Sequence, residues 1–249
     1  LGDDNITDIY LSEDGFAKVH AGSMIISSST AVIGSSTASL AIHGSGSEVV
    51  SVDGTQGRLF SVTDEMSGSI FSANTIAGIP VIEAKSDYTV RLDPFNNGKV
   101  YVGSYIVAPN QPAFHAHPAS SQDNIATGGV TVVFGTERFD QDNNFASNTF
   151  TAPVTGKYCL QVSINLRNLD TASAYYVTNL ITSNRTYEFT FDPGMSEGEG
   201  DWNAWNWTFS VLADMDASDT AYVQLNQETG TAQSDINDNG TWFSGYLVC

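Results

Sequence analysis

Basic residues are scarce in this chain. Nine lysines and arginines stand against 28 aspartates and glutamates, which leaves a formal charge of −19 over 249 residues. The deficit is general, since residues 1–109 carry a net −7 and residues 110–249 a net −12. No nucleic acid partner is expected, because phosphate binding needs clustered Lys and Arg. An acidic surface of this kind is a solvated one. Long apolar runs are also missing: none approaches the roughly eighteen residues of a membrane span, and no basic segment leading into an apolar one opens the chain. No membrane insertion is expected either. Leu1 is not an initiator methionine, and the chain reads as a processed or truncated piece of something longer.

Cysteine is nearly absent. Cys159 and Cys249 are too few for a disulfide scaffold; a cross-strand contact between them competes with a buried free thiol and an exposed terminal one. Catalytic constellations are poor. Of four histidines, two fall before residue 110, and no Gly-x-Ser-x-Gly elbow accompanies the remaining His115 and His117. No phosphate-binding glycine loop appears, and the many carboxylates of an acidic chain do not by themselves make an acid/base pair. The expectation is that this is not an enzyme.

What the chain does have is glycine, serine, threonine and asparagine between short apolar clusters. No segment shows a helical period, so the fold expected is all-β. In residues 1–109 the clusters recur every seven to eleven residues: Ile25-Ile26, Val32-Ile33, Leu40-Ile42, Val49-Val52, Leu59-Val62, Ile70-Phe71, Ile79-Ile82, Val90-Leu92 and Val100-Val102. Each reads as a short strand and each gap as a turn. Strands this small do not make a core alone. Stacked repeats, or three parallel chains wound about one axis, would bury them. The region is therefore expected to be an elongated, repetitive, intertwined trimeric β shaft. Ala108-Pro109-Asn-Gln-Pro112 breaks the pattern and suits an extended, stiff connector.

Longer strands follow, at 113–117, 130–134, 148–151, 158–166, 174–182, 185–191, 207–212, 220–227 and 242–248. In the fourth, Tyr158, Leu160, Val162 and Ile164 alternate with Cys159, Gln161, Ser163 and Asn165. In the last, Phe243, Gly245 and Leu247 alternate with Ser244, Tyr246 and Val248, and Gly245 marks a place where another backbone or a large ring comes close. Gly156 is expected to give freedom for a tight turn.

Two stretches are distinctive in their wording: Phe145-Ala-Ser-Asn-Thr-Phe150-Thr-Ala-Pro153-Val-Thr-Gly156-Lys-Tyr158, and the terminal Phe243-Ser-Gly245-Tyr-Leu247. Together, in this order and about ninety residues apart, they resemble the C1q-like domain of the C1q/TNF superfamily. The resemblance covers residues 110–249. It implies a ten-stranded jelly-roll head that assembles as a compact trimer and acts without catalysis. A second resemblance rests on Leu59-Phe60-Ser-Val, Gly68-Ser-Ile70-Phe71-Ser and Gly78-Ile-Pro80-Val-Ile-Glu83, followed by Asp87-Tyr-Thr-Val90. These phrases, within residues 55–103, look like fibre and structural proteins of tailed phages, particularly marine ones.

Several groups are candidate sites. In His115-Ala-His117 both imidazoles face one side of a strand; on a threefold axis three copies would present six nitrogens, enough for an octahedral transition metal. Trimeric phage fibres use His-x-His in this way, and the alternative is an ordinary exposed strand face. Asp235-Ile-Asn237-Asp238-Asn239-Gly240 matches the first half of a calcium loop, but Tyr246 stands where the bidentate Glu belongs, which excludes an EF-hand. C1q-like heads hold calcium near the trimer apex, so the resemblance keeps Asp235 and Asp238 as candidate ligands, against a turn rich in Asn, Asp and Gly. Asp140-Gln-Asp142-Asn-Asn144 poses the same choice. Finally, Glu197, Glu199, Asp201, Trp202 and Trp205 form an acidic, glycine-spaced stretch leading into Trp207. Carboxylates that accept sugar hydroxyls, beside flat indoles, suit a saccharide or protein receptor; alternatively Trp205 and Trp207 begin a strand with at least one buried.

The functional expectation is a homotrimeric tail fibre or receptor-binding protein of a phage virion, joined to other virion proteins at its N-terminal end and binding a host surface glycan or protein with its head. A capsid fibre of structural role and a secreted C1q-like adhesion module are the alternatives. Sequons at Asn5, Asn184, Asn206 and Asn239 bear on the last of these.

Overall fold

The computed structural model describes residues 48–65, 67–95, 98–195 and 200–249, so the apolar clusters at residues 25–42 lie outside the described residues. Among these residues no helix is long and apolar enough to cross a membrane. The contacts divide the chain into two units, parting between Ser104 and Tyr105.

In the first unit five strands, β1 (Val50–Asp53), β2 (Arg58–Val62), β3 (Ser69–Asn74), β4 (Pro80–Lys85) and β5 (Val90–Leu92), form an antiparallel meander in chain order. The gaps are turns, as the residue types dictate: Gly78 takes φ +77°, and Asp87 accepts from the Thr89 amide at 3.1 Å and its hydroxyl at 2.6 Å. Val100–Val102 carries no strand, contrary to the one-cluster, one-strand expectation. The register sorts the side chains into rows. One row crosses the sheet as Val50, Val62, Phe71, Ala84 and Val90, and a second as Val52, Phe60, Ala73, Ile82 and Leu92. Between them, on the opposite face, run Ser51, Ser61, Ser72, Glu83 and Arg91.

The second unit holds twelve strands: β6 (Ala113–His117), β7 (Gly128–Thr131), β8 (Thr136–Asp140), β9 (Phe145–Ala146), β10 (Thr149–Thr151), β11 (Gly156–Leu169), β12 (Tyr175–Thr182), β13 (Thr186–Phe191), β14 (Trp202–Met215), β15 (Thr220–Glu228), β16 (Asp235–Ile236) and β17 (Trp242–Leu247). They make two six-stranded antiparallel sheets, one ordered β13-β12-β15-β10-β9 with β7 also on β15, the other β14-β11-β17-β6-β8 with β16 also on β11. The expected ten-stranded jelly roll is exceeded by two-residue pairings such as β9 and β16.

The core lies between the sheets. Alternation in β11 sends Tyr158, Leu160, Val162 and Ile164 to full burial, and β12, β15 and β17 add Tyr176, Leu180, Val223, Leu225 and Phe243. Each such side chain contributes roughly 1.5–3 kcal/mol by leaving water. Around Phe114, the rings of Phe145 and Phe150 stack at 5.0 and 4.7 Å and Phe243 meets it edge-on at 4.9 Å. Gly156 corrects one expectation. Its role is space rather than turn freedom, because a Cβ there would stand 2.6 Å from both the Cys249 carbonyl oxygen and Leu247 Cδ1. The connector is also different from the extended form expected: Gln111 N donates to Ala108 O at 3.1 Å in a turn, and Gln111 Nε2 donates to Leu247 O at 2.6 Å. The turn thereby docks on the end of β17.

Candidate binding site

The β6–β7, β11–β12, β13–β14 and β15–β16 connections meet at one end of the sandwich. Their polar residues are joined in one chain of hydrogen bonds. Asp201 accepts from the Thr171 amide and hydroxyl, both at 3.2 Å, and from Gln233 Nε2 at 2.8 Å. Gln233 also donates to Asn168 O at 3.3 Å, and Asn168 Nδ2 donates to Asp235 Oδ2 at 2.7 Å. Asp235 Oδ1 accepts the Asn124 amide at 2.7 Å. The side-chain bond from Gln233, then the Thr171 amide, hold the Asp201 carboxyl below the usual carboxylate range.

Beneath this chain sits a buried knot. Asp170 is almost fully buried and accepts from the Ala172 amide at 2.8 Å and from the Thr231 amide. The Tyr176 hydroxyl and Ser234 Oγ lie 2.8 Å apart and both accept from the Asp170 amide. Burial pushes the Tyr176 phenol up. A loop end tied in this way is preorganised, and a ligand meeting it would not have to order it. Asn168, Asp170, Gln233 and Ser234 escaped the sequence reading. Their one signal was the density of Asn, Asp, Ser and Gln in the segments leaving β11 and β15.

Beside the loops lies an aromatic seam. The three tryptophans belong to a strand, not a loop, and close the gap between β13 and β14. Trp205 stacks on Phe191 at 5.4 Å and 10°, and Trp202 lies 5.0 Å from Trp205. Trp207 is buried, with Nε1 donating to Thr178 Oγ1 at 3.0 Å. Trp205, four residues after Asp201, keeps 42% of its surface exposed, so part of its indole remains available. Glu197 and Glu199 lie outside the described residues.

The histidines are elsewhere. His115 and His117 alternate with the buried Phe114 and Ala116, so both imidazoles project outward from the second sheet, as the strand reading requires. They line a hollow of about 220 Å³ with Arg138, Asp238, Asn239 and Trp242. His115 stacks on Trp242 at 5.6 Å, and its burial, then the Arg138 charge and His117, hold it below the ordinary imidazole range. His117 Nδ1 donates to Pro118 O at 2.9 Å. Asp238 Oδ1 accepts from Ser121 Oγ at 3.1 Å, whereas Asp235 is tied to Asn124 and Asn168, so the two aspartates share no partner. Among the described residues no group of three or more His, Cys, Asp or Glu is placed to hold a metal ion. The Asp140 carboxylate accepts the Asn144 and Phe145 amides at 3.1 and 2.9 Å, the work of a turn residue. Cys159 and Cys249 are both free thiols.

Residues 113–248 match the C1q domain family, and the chain belongs to it. Among solved structures, the globular domain of zebrafish complement 1qA protein is 13% identical, with a TM-score of 0.42 over 56% of this chain and 98% of that one. Murine APRIL at pH 8.0 is 10% identical, with a TM-score of 0.41 over 55% of this chain and 99% of that one. Among curated proteins no sequence matches. The two-sheet all-β head is a C1q domain by its family match, and that family is non-enzymatic.

Proposed function

We propose that this chain is a homotrimeric fibre protein of a tailed-phage particle, whose C1q-family head binds the host surface without covalent chemistry. The observation that carries the trimer is the outward face of the β14-β11-β17-β6-β8 sheet. Leu212, Phe139 and Tyr246 share that face and are 61%, 52% and 47% exposed. Large apolar side chains left exposed among Gln161, Ser163, Ser210 and Ser244 support an interaction surface, and C1q/TNF domains form homotrimers.

The loop end of Asp201, Trp202 and Trp205 is the contact surface in this reading. Three copies on one head, and several fibres per particle, turn weak contacts with a repetitive glycan or protein into firm attachment. The fibre setting rests on the phage-like phrases within residues 55–103. Sequons on the exposed Asn184 and Asn239 favour a second reading, a secreted C1q-like adhesion module; glycans on the native protein would select it.

The test is a solution mass followed by adsorption. A mass near three chains is expected, and the purified protein should bind host cells and block attachment of particles. Trp205→Ala should weaken binding at least about tenfold, as loss of a stacking anchor does, with its melting temperature as control. A one-chain mass overturns the trimer. Full binding by Trp205→Ala removes the loop end as the contact. Antibody labelling at the capsid instead of the tail gives the protein a structural role.

A further inference from the structure

The two apolar rows of the β1–β5 sheet make a face that no other strand among the described residues covers. Ten positions across five strands are Val, Phe, Ala, Ile or Leu without a polar interruption. Val52, Ile82, Val90 and Leu92 on it are between 41% and 67% exposed. The opposite face is the better covered one: among the described residues of this unit Ser61 and Ser72 are the buried ones, their hydroxyls 2.9 Å apart. Among the described residues no large hydrophobic side chain of this unit is fully buried. An antiparallel sheet with one apolar face places that face on a core. Here the described residues of the unit supply none.

We propose that the face is covered by the same face of the other two copies, three sheets turning these rows toward a common axis. The inference rests on the homotrimer reading above. Two observations choose this occupant. The first is extent. Strands about 4.8 Å apart and rows about 7 Å apart give a patch on the order of 300 Å². That is less than half of the roughly 800 Å² that each partner buries in an ordinary stable interface. An independent protein gains too little from it, whereas copies already joined through their heads meet at millimolar effective concentration.

The second is charge. Residues 1–109 carry a net −7, so copies of this segment repel unless they meet over a surface free of carboxylates. The two rows themselves contain no charged residue; Arg58, at the end of β2 on the same side, is paired with Glu48 and Asp53, and Glu83 and Arg91 lie on the other face. A foreign partner would not need that segregation. Self-association of an acidic chain does.

The test uses the full chain with Cys159→Ser and Cys249→Ser, adding one cysteine at a time and treating with a short bismaleimide. Ala73→Cys on the central strand, and Ile82→Cys as a second variant, should give covalent dimers and trimers on a denaturing gel. Glu83→Cys on the opposite face should give none above background. The mass of each variant is measured in parallel. A three-chain mass without cross-links at Ala73→Cys and Ile82→Cys overturns this inference alone; the head then holds the trimer, and residues 1–47 or another protein cover the face. A one-chain mass overturns both the inference and the reading beneath it.

Discussion

Gly245 and Phe114 are paired across β17 and β6 so closely that a Cβ on the glycine would stand 2.8 Å from Phe114 Cε1, and 2.6 Å from Leu160 Cδ2. Phe114 is held in turn by the stacked rings of Phe145 and Phe150, so it has no free direction in which to move. Gly245→Ala should therefore destabilise the head by about 1–3 kcal/mol, the ordinary cost of forcing a methyl into a filled core. In urea the midpoint should fall with an unchanged slope. An unchanged midpoint would mean that the Phe114 cluster is looser than described.

Trp207 and Thr178 tie one sheet to the other through a single buried hydrogen bond. Thr178→Val keeps the shape but strands the indole N–H, and should cost roughly 1–3 kcal/mol. Adding Trp207→Phe removes the stranded donor as well. The double variant should then lose less than the sum of the two single changes, a coupling measurable by denaturant unfolding of all four proteins.

His115 gives the head a pH dependence with a defined sign. It sits between Trp242 and Phe139, with Arg138 and His117 nearby, and its neutral form is favoured in the folded chain. The unfolded chain binds the proton more readily. Stability from this group is complete above the ordinary imidazole value near 6.5 and declines as pH falls from there through the lowered folded value. Melting temperatures recorded from pH 7.5 downward should show that decline, and His115→Asn should flatten it. A head that grows more stable on acidification over this interval would reverse the assignment.

The head was legible because its strands obey period two and its turns carry conspicuous residues. Ala113–His117 is bounded as expected, and Tyr158, Leu160, Val162 and Ile164 are buried as their alternation requires. Gly245 advertised a close ring in a strand that was otherwise apolar on that face. Less legible were elements with no apolar pattern: β8, Thr136–Asp140, exposes every residue except Asp140 and is held by backbone pairing to β6. The strand expected from Trp207 begins earlier, at Trp202, because thirteen pairings with β11 carry β14 through the Asn-rich stretch, and the alternative of Trp205 and Trp207 in a strand with one buried is the one observed. Loop-end ties such as Asp201 to Gln233 join residues about thirty positions apart, and no periodicity reports such a pair.

β17 lies between β6 and β11, so the latest strand of the head separates the earliest from one of the two longest. During synthesis, β6 has no neighbour on that side until Trp242 to Leu247 leave the ribosome. A chain interrupted before Trp242 exposes the inner sides of Phe114 and Leu160 and two open strand edges, a form that chaperones and proteases recognise. The order of strands therefore works as a completeness check. Only chains translated through this last strand can present a closed head, and only closed heads are available to assemble.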